Sequence, residues 1–177
     1  MEYRSGKAER TKAQLGEAFI SLLDEMPPER VTAEAIAERA GMGRATWFRH
    51  FSSKSDAATY ALVARWMRWA ADEAPALDPQ ADLLLPFLRM IYDQRETIAL
   101  LYARGMRQSV LDASAKIADA LAADGQTGYR EKFCLYGFVG IQDEWVERGF
   151  AETPEEVAVM LNGFDDLMSR MTPRSIP

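Results

Sequence analysis

Apolar positions recur along this chain at spacings of three and four, which is the helical period, and no stretch alternates as a strand would. Leu15, Ala18, Phe19, Leu22, Leu23 and Met26 predict a first helix from about Ala8 to Met26, ended by Pro27-Pro28. Thr32 is a natural N-cap for a short second helix that carries Ile36, Ala37 and Ala40 on one face. Gly41, Met42 and Gly43 interrupt the pattern. A third helix then starts near Arg44, with Trp47, Phe48 and Phe51 at helical spacing. Ser53 is placed to cap a long fourth helix, from about Lys54 to Ala74, with two apolar faces. One holds Ala57, Tyr60, Ala61, Ala64 and Met67, the other Leu62, Trp66 and Trp69, as suits a strut packed on two sides.

The remainder also reads as helices. Asp78-Pro79 has the form of an N-cap followed by proline. A fifth helix either begins at Pro86 or kinks there, because an interior proline costs ~3 kcal/mol. A sixth carries Ile98, Leu101 and Tyr102 and ends at Gly105; a seventh carries Val110, Ala113, Ile117, Ala120 and Leu121 and stops before Gly125. An eighth, from about Gly128 to Arg148, contains the uncharged run FCLYGFVGI from Phe133 to Ile141, which calls for cover on more than one side. Gly149 ends it. Thr153 to Glu156 forms a capping box with Pro154 at the first helical position. A ninth helix then carries Val157, Met160, Leu161, Phe164, Leu167, Met168 and Met171. The expected fold is all-α, with about nine helices: an N-terminal three-helix head, residues 1–60, and a helical body, residues 61–177.

Charge refines this division. The net charge is −6, unexpected for a protein that meets nucleic acid. Residues 1–54, however, hold nine Lys and Arg against eight Asp and Glu, whereas the rest holds twelve against nineteen. The head is neutral to slightly basic and the body acidic, so the body is expected to stand away from phosphates. The polar N-terminus, with Arg4, Lys7, Arg10 and Lys12, reads either as an arm reaching the backbone of a duplex or as a solvated terminus. It lacks the apolar run of a signal peptide, and no stretch is apolar enough to span a membrane. The single cysteine, Cys134, forbids an internal disulfide and suits a reducing cytoplasm.

Catalysis is not expected. The one histidine, His50, lies on the third helix, and Cys134 lies in an apolar run. Neither a metal tetrad nor a nucleophile motif appears, and no cofactor is implied. Asp143, Glu144 and Glu147 read as a solvated helix end. What the head can do is enter a groove: two short helices joined by a glycine turn, the second bearing Arg44, Thr46, Arg49 and His50, suit a major groove about 12 Å wide.

The segment GMGRATWFRHFSSK resembles the recognition segment of the tetracycline-repressor (TetR) family, through Gly41, Met42, Ala45, Thr46, Trp47, Phe48, His50, Phe51 and Lys54. Beyond the head, the likeness is one of architecture. The resemblance implies a transcriptional regulator, usually a repressor, that binds a near-palindromic double-stranded DNA operator as a homodimer. It implies Arg44 at base edges, Ala45 close to the bases, Thr46 at phosphate or base, Arg49 within reach of either, and His50 and Lys54 at phosphates; Thr32 adds a phosphate contact to its capping role. Phe48 departs from the family's usual tyrosine and offers apolar contact only. Gly43 departs from the usual capping serine. Trp47 and Phe51 are assigned to the core.

For the body, the resemblance implies a small-molecule effector among the middle helices, with Trp66, Trp69, Tyr92, Tyr102, Met106, Phe133 and Phe138 as candidate lining; plain core packing is the alternative for each. The dimer is expected to form through Tyr136, Gly137, Gly140 and Ile141 of helix eight and Val157, Met160, Leu161, Phe164, Leu167 and Met168 of helix nine, although these stripes also suit an intramolecular core. A competing reading keeps the DNA-binding head but gives the body a protein partner, making the chain an adaptor.

Overall fold

A computed structural model describes residues 6–73, 84–121 and 129–161. Among them it shows nine α-helices and no strand: α1 Lys7–Glu25, α2 Ala33–Arg39, α3 Arg44–His50, α4 Lys54–Glu73, α5 Leu84–Asp93, α6 Arg95–Ala103, α7 Arg107–Leu121, α8 Tyr129–Glu147 and α9 Pro154–Met160. The fold is all-α, as the periodicity predicts. Asp78-Pro79, Gly125, Phe164, Leu167, Met168 and Met171 lie outside the described residues, and so does any continuation of α9 beyond Leu161.

The head is built on α1. Its predicted stripe, Leu15 to Leu23, is buried. Gly16 lies in the same face, where an added Cβ would meet Ala57 O and Ala61 Cβ at 3.0 Å each; its missing side chain lets α1 and α4 approach closely. The Thr32 hydroxyl caps α2 by accepting from the Ala35 N–H at 3.1 Å. Gly41, at φ +67°, follows α2 in the left-handed region. There the Met42 N–H reaches Ala37 O at 2.8 Å and the Gly41 N–H reaches Glu38 O at 2.9 Å, satisfying carbonyls the helix end leaves free. The same closure ends α6 at Gly105 and α8 at Gly149. At α4 the Ser53 hydroxyl accepts from the Asp56 N–H at 3.0 Å, as its position before the helix suggested.

α4 runs unbroken through residue 60 and packs on α1 on one side and α7 on the other. Ala57, Ala58, Ala61, Leu62 and Trp66 are all buried. The buried Thr59 hydroxyl donates to Ser109 O of α7 at 3.1 Å. Arg65 binds both Glu17 carboxylate oxygens, at 2.9 and 2.6 Å, and the Thr97 hydroxyl at 2.5 Å, so one guanidinium joins α1, α4 and α6. A second tie comes from Arg104, which donates to Leu23 O at 2.8 Å and Asp24 O at 3.4 Å, where α1 runs out of its own donors.

In the body α5 packs on α9, and α7 on α8. Pro86 falls in the first described turn of α5, where a missing N–H breaks no described helix bond. The α8–α9 corner closes around Trp145, whose indole N–H donates to Glu152 O at 3.0 Å and whose ring meets Phe150 at 5.4 Å and Tyr92 at 5.6 Å. The expected capping box is present: Thr153 and Glu156 bond reciprocally, with Pro154 at the start of α9. Asp143 does not belong to a solvated face. It accepts from the Tyr102 hydroxyl and from Arg107, and links α6, α7 and α8. Among the described residues no helix is long and apolar enough to cross a membrane.

Candidate nucleic-acid interface

Helix α3 buries one residue fully, Trp47, against the head's core, and Phe51 follows it inward at a ring distance of 5.3 Å. This pair turns the rest of α3 outward. Arg44, Ala45, Phe48 and Arg49 are exposed, and Thr46 and His50 are half-buried. Thr32, at the start of α2, is exposed as well. Gly43 provides no side-chain cap for α3, whose first turn carries no acidic residue.

One flank of α3 forms a groove with the N-terminal part of α1. It encloses about 800 Å³ and is lined by Lys7, Ala8, Arg10, Thr11, Gln14, Met42, Thr46, Arg49 and His50. Among the described residues no carboxylate lines it, in a chain whose net charge is −6. The pairing of cations sharpens the contrast. Arg65, Arg68, Arg89, Arg95, Arg107 and Arg148 in the body each bridge a carboxylate, and in the head Arg39 bridges Glu25 at 2.7 Å. Among the described residues Lys7, Arg10, Arg44 and Arg49 bridge none. A cation left without a carboxylate beside an open groove keeps its full attraction for a phosphate.

Lys7, Arg10 and Lys12 belong to α1, so these three are carried on a helix and not on an arm, whereas Arg4 lies outside the described residues. Thr11 and Gln14 were missed as groove residues. Their signal lay in the helical spacing of Lys7, Thr11 and Gln14, which places all three on the polar side of α1. Lys54 is partly committed: its ammonium donates to Pro28 O at 2.5 Å, tying the start of α4 to the turn before α2. Two of its three donors stay available.

Of the candidate effector residues, Trp66 and Met106 belong to the hydrophobic core, and Trp69, Tyr92 and Tyr102 pack against it. Trp66 and Met106 are buried, and the Trp66 indole N–H has no hydrogen-bond partner among the described residues. Trp69 is half-buried beside the core. Tyr92 belongs to the α8–α9 corner and lies under the Arg95 guanidinium at 4.4 Å. Phe138 packs on Phe87 at 4.9 Å. Burial, together with the bond to Asp143, pushes the Tyr102 hydroxyl up to about 12. Burial also raises Asp143, but the bonds from Arg107 and Tyr102 and the Arg107 charge outweigh it and hold that carboxyl below its ordinary range. Phe133 lies in α8, with its side chain outside the described residues.

The α8–α9 face carries a second groove, of about 440 Å³, whose lining includes Gly137, Gly140, Ile141, Val157, Met160 and Leu161. Val157 is also buried in the chain's own core. Tyr136, Val159 and Met160 are exposed at 70%, 66% and 67%. Val159 was missed because it falls off the 3–4 stripe of α9.

Residues 17–56 match the model of a family described as bacterial regulatory proteins, tetR family. None of the curated proteins compared matches the chain.

Proposed function

The chain is a DNA-binding transcriptional regulator of the tetR family, and on that premise we propose that it acts as a homodimeric repressor released by a small molecule. The observation that carries the DNA-binding part is the groove between α1 and α3, lined by no carboxylate among the described residues, with Lys7, Arg10 and Arg49 around it bridging none of those either. In this reading residues 1–60 form the DNA-binding unit and residues 61–177 the sensing and dimerising unit, with α4 continuous between them. Arg44 meets a guanine edge, since a bidentate Arg is the commonest specific contact to guanine. Ala45 lets the helix backbone approach. Thr46, Arg49, His50, Thr32 and the free donors of Lys54 hold phosphates, and Phe48 shares the exposed face of α3 with Arg44.

One head covers too little surface for strong discrimination; two, related by a twofold axis, read half-sites about one helical turn (~34 Å) or more apart. The exposed apolar side chains of α8 and α9 support self-association through that face. Support for an effector comes from the aromatic and Met side chains of the middle helices, Trp66 and Met106 in the core with Trp69, Tyr92 and Tyr102 packed against it. Such a ligand regulates only by preferring one spacing of the heads over another. Arg65 and Arg104 supply the connections along which that preference reaches α1.

In vitro selection from random duplexes, followed by anisotropy titrations across salt, tests the reading. Affinity is expected to fall steeply with salt, and Arg49→Ala to lower the logarithmic slope by about 1. Arg44→Ala is expected to relax the selected guanine. Unchanged binding by both variants would overturn the proposal.

A further inference from the structure

Phe48 is the one large apolar side chain of the described head that is mostly exposed, at 61%. It lies four residues after Arg44, so the two side chains share a face of α3. The Arg44 guanidinium sits over the Phe48 ring at 5.5 Å from its centre. Among the described residues Arg44 bridges no carboxylate. Its place is electrostatically poor: it is the first residue of α3, where the peptide dipoles present positive charge. A cation there gains little from its own helix, and the negative face of an aromatic ring offsets part of that disadvantage. A free arginine must also give up considerable rotamer freedom to dock its fork on a base. A ring beneath it lowers that loss, because fewer conformers remain to be excluded.

We propose that Phe48 is a positioning residue that pre-orients the Arg44 fork for a guanine edge and so sharpens discrimination at that base pair. The inference rests on the reading of Arg44 as a base contact. Phenylalanine has no hydroxyl for a phosphate, so the ring face is what this position can contribute. The nearby cation Arg49 stands on the groove side of α3, whereas Arg44 and Phe48 are not among the groove residues. The pair therefore forms a separate element of recognition beside the phosphate-holding groove.

The test is a double-mutant cycle on a selected duplex, with Arg44→Ala, Phe48→Leu, Phe48→Tyr and the Arg44→Ala/Phe48→Leu double variant. A parallel duplex carries 7-deazaguanine at the guanine assigned to Arg44. Leucine keeps an apolar side chain and a good helix former but removes the ring face; tyrosine restores it. Phe48→Leu should weaken binding about threefold, in line with an exposed cation–π contact. Phe48→Tyr should bind at least as tightly as the parent, because it keeps the ring and adds a hydroxyl that can donate to a phosphate. In the Arg44→Ala background Phe48→Leu should change nothing, and loss of the guanine N7 should cost the Phe48→Leu protein less than the parent. Parent-like binding by Phe48→Leu while Arg44→Ala is weak would overturn the positioning role alone. An equal loss with and without Arg44 would also overturn it, because the ring would then act directly on DNA. No loss in Arg44→Ala would overturn the underlying reading of Arg44 as well.

Discussion

Gly140 offers a direct way to separate the single chain from its proposed dimer. It is exposed on α8, and an added Cβ meets nothing within 4 Å among the described residues. Glycine inside a helix costs ~1 kcal/mol relative to alanine. For the isolated chain, Gly140→Ala should therefore stabilise by up to about 1 kcal/mol, a rise of roughly 2–4 °C in Tm at this chain length. If α8 packs on its copy at this position, a leucine there wedges the helices apart. Overpacking costs about 1–3 kcal/mol, and a twofold interface contains the substitution twice. The combined penalty is at least ~2 kcal/mol, so Gly140→Leu should weaken self-association by at least about 25-fold. Sedimentation equilibrium gives the dissociation constant, and circular dichroism at the lowest concentrations confirms that the chain stays folded. A Gly140→Leu protein that dimerises as tightly as the parent would refute the placement of the interface.

Gly16→Val should loosen the α1–α4 seam, because a Cβ there already meets Ala57 O and Ala61 Cβ at 3.0 Å and two further methyls have no room. A loss of about 2–3 kcal/mol in urea denaturation is expected, and stability at or above the parent's would contradict the close approach. Tyr102 should give up its proton late, at about 12, through burial and its bond to Asp143. Its folded-state pKa is raised above the unfolded value of about 10, so the stabilisation it contributes is complete below pH ~10 and is lost as pH rises through the folded value. Absorbance titration of tyrosinate should show a late phenol that vanishes in Tyr102→Phe and titrates earlier in Asp143→Asn.

The local rules in the sequence carried most of the fold. Thr32, Ser53 and Thr153 announce helix starts because a hydroxyl just before an apolar-periodic segment satisfies the first free N–H groups. Gly41, Gly105 and Gly149 announce ends because left-handed backbone suits glycine. The buried stripe of α1 follows from spacing alone. The ties between helices were not legible in this way. Arg65 finds Glu17 from 48 residues away, and Arg104 finds Leu23 O from 81. One sequence gives no sign of which of many arginines will meet which carboxylate or carbonyl. Asp143 was misjudged for the same reason: its partners Tyr102 and Arg107 lie on other helices. In the head, the outward side chains of α3 followed from the inward Trp47 and Phe51, whereas the share of α1 in the groove needed the packing angle between the helices.

The central claim is that paired heads on a twofold dimer meet one duplex through α3, with Arg44 at a base edge and the groove between α1 and α3 at the phosphates. Its most direct test is the stoichiometry of the complex with a selected near-palindromic duplex, measured by sedimentation velocity alongside an otherwise identical duplex with one half-site scrambled. The account predicts two protomers on the intact duplex and a large loss of affinity on the scrambled one. One protomer per duplex, bound equally well to both, would contradict it.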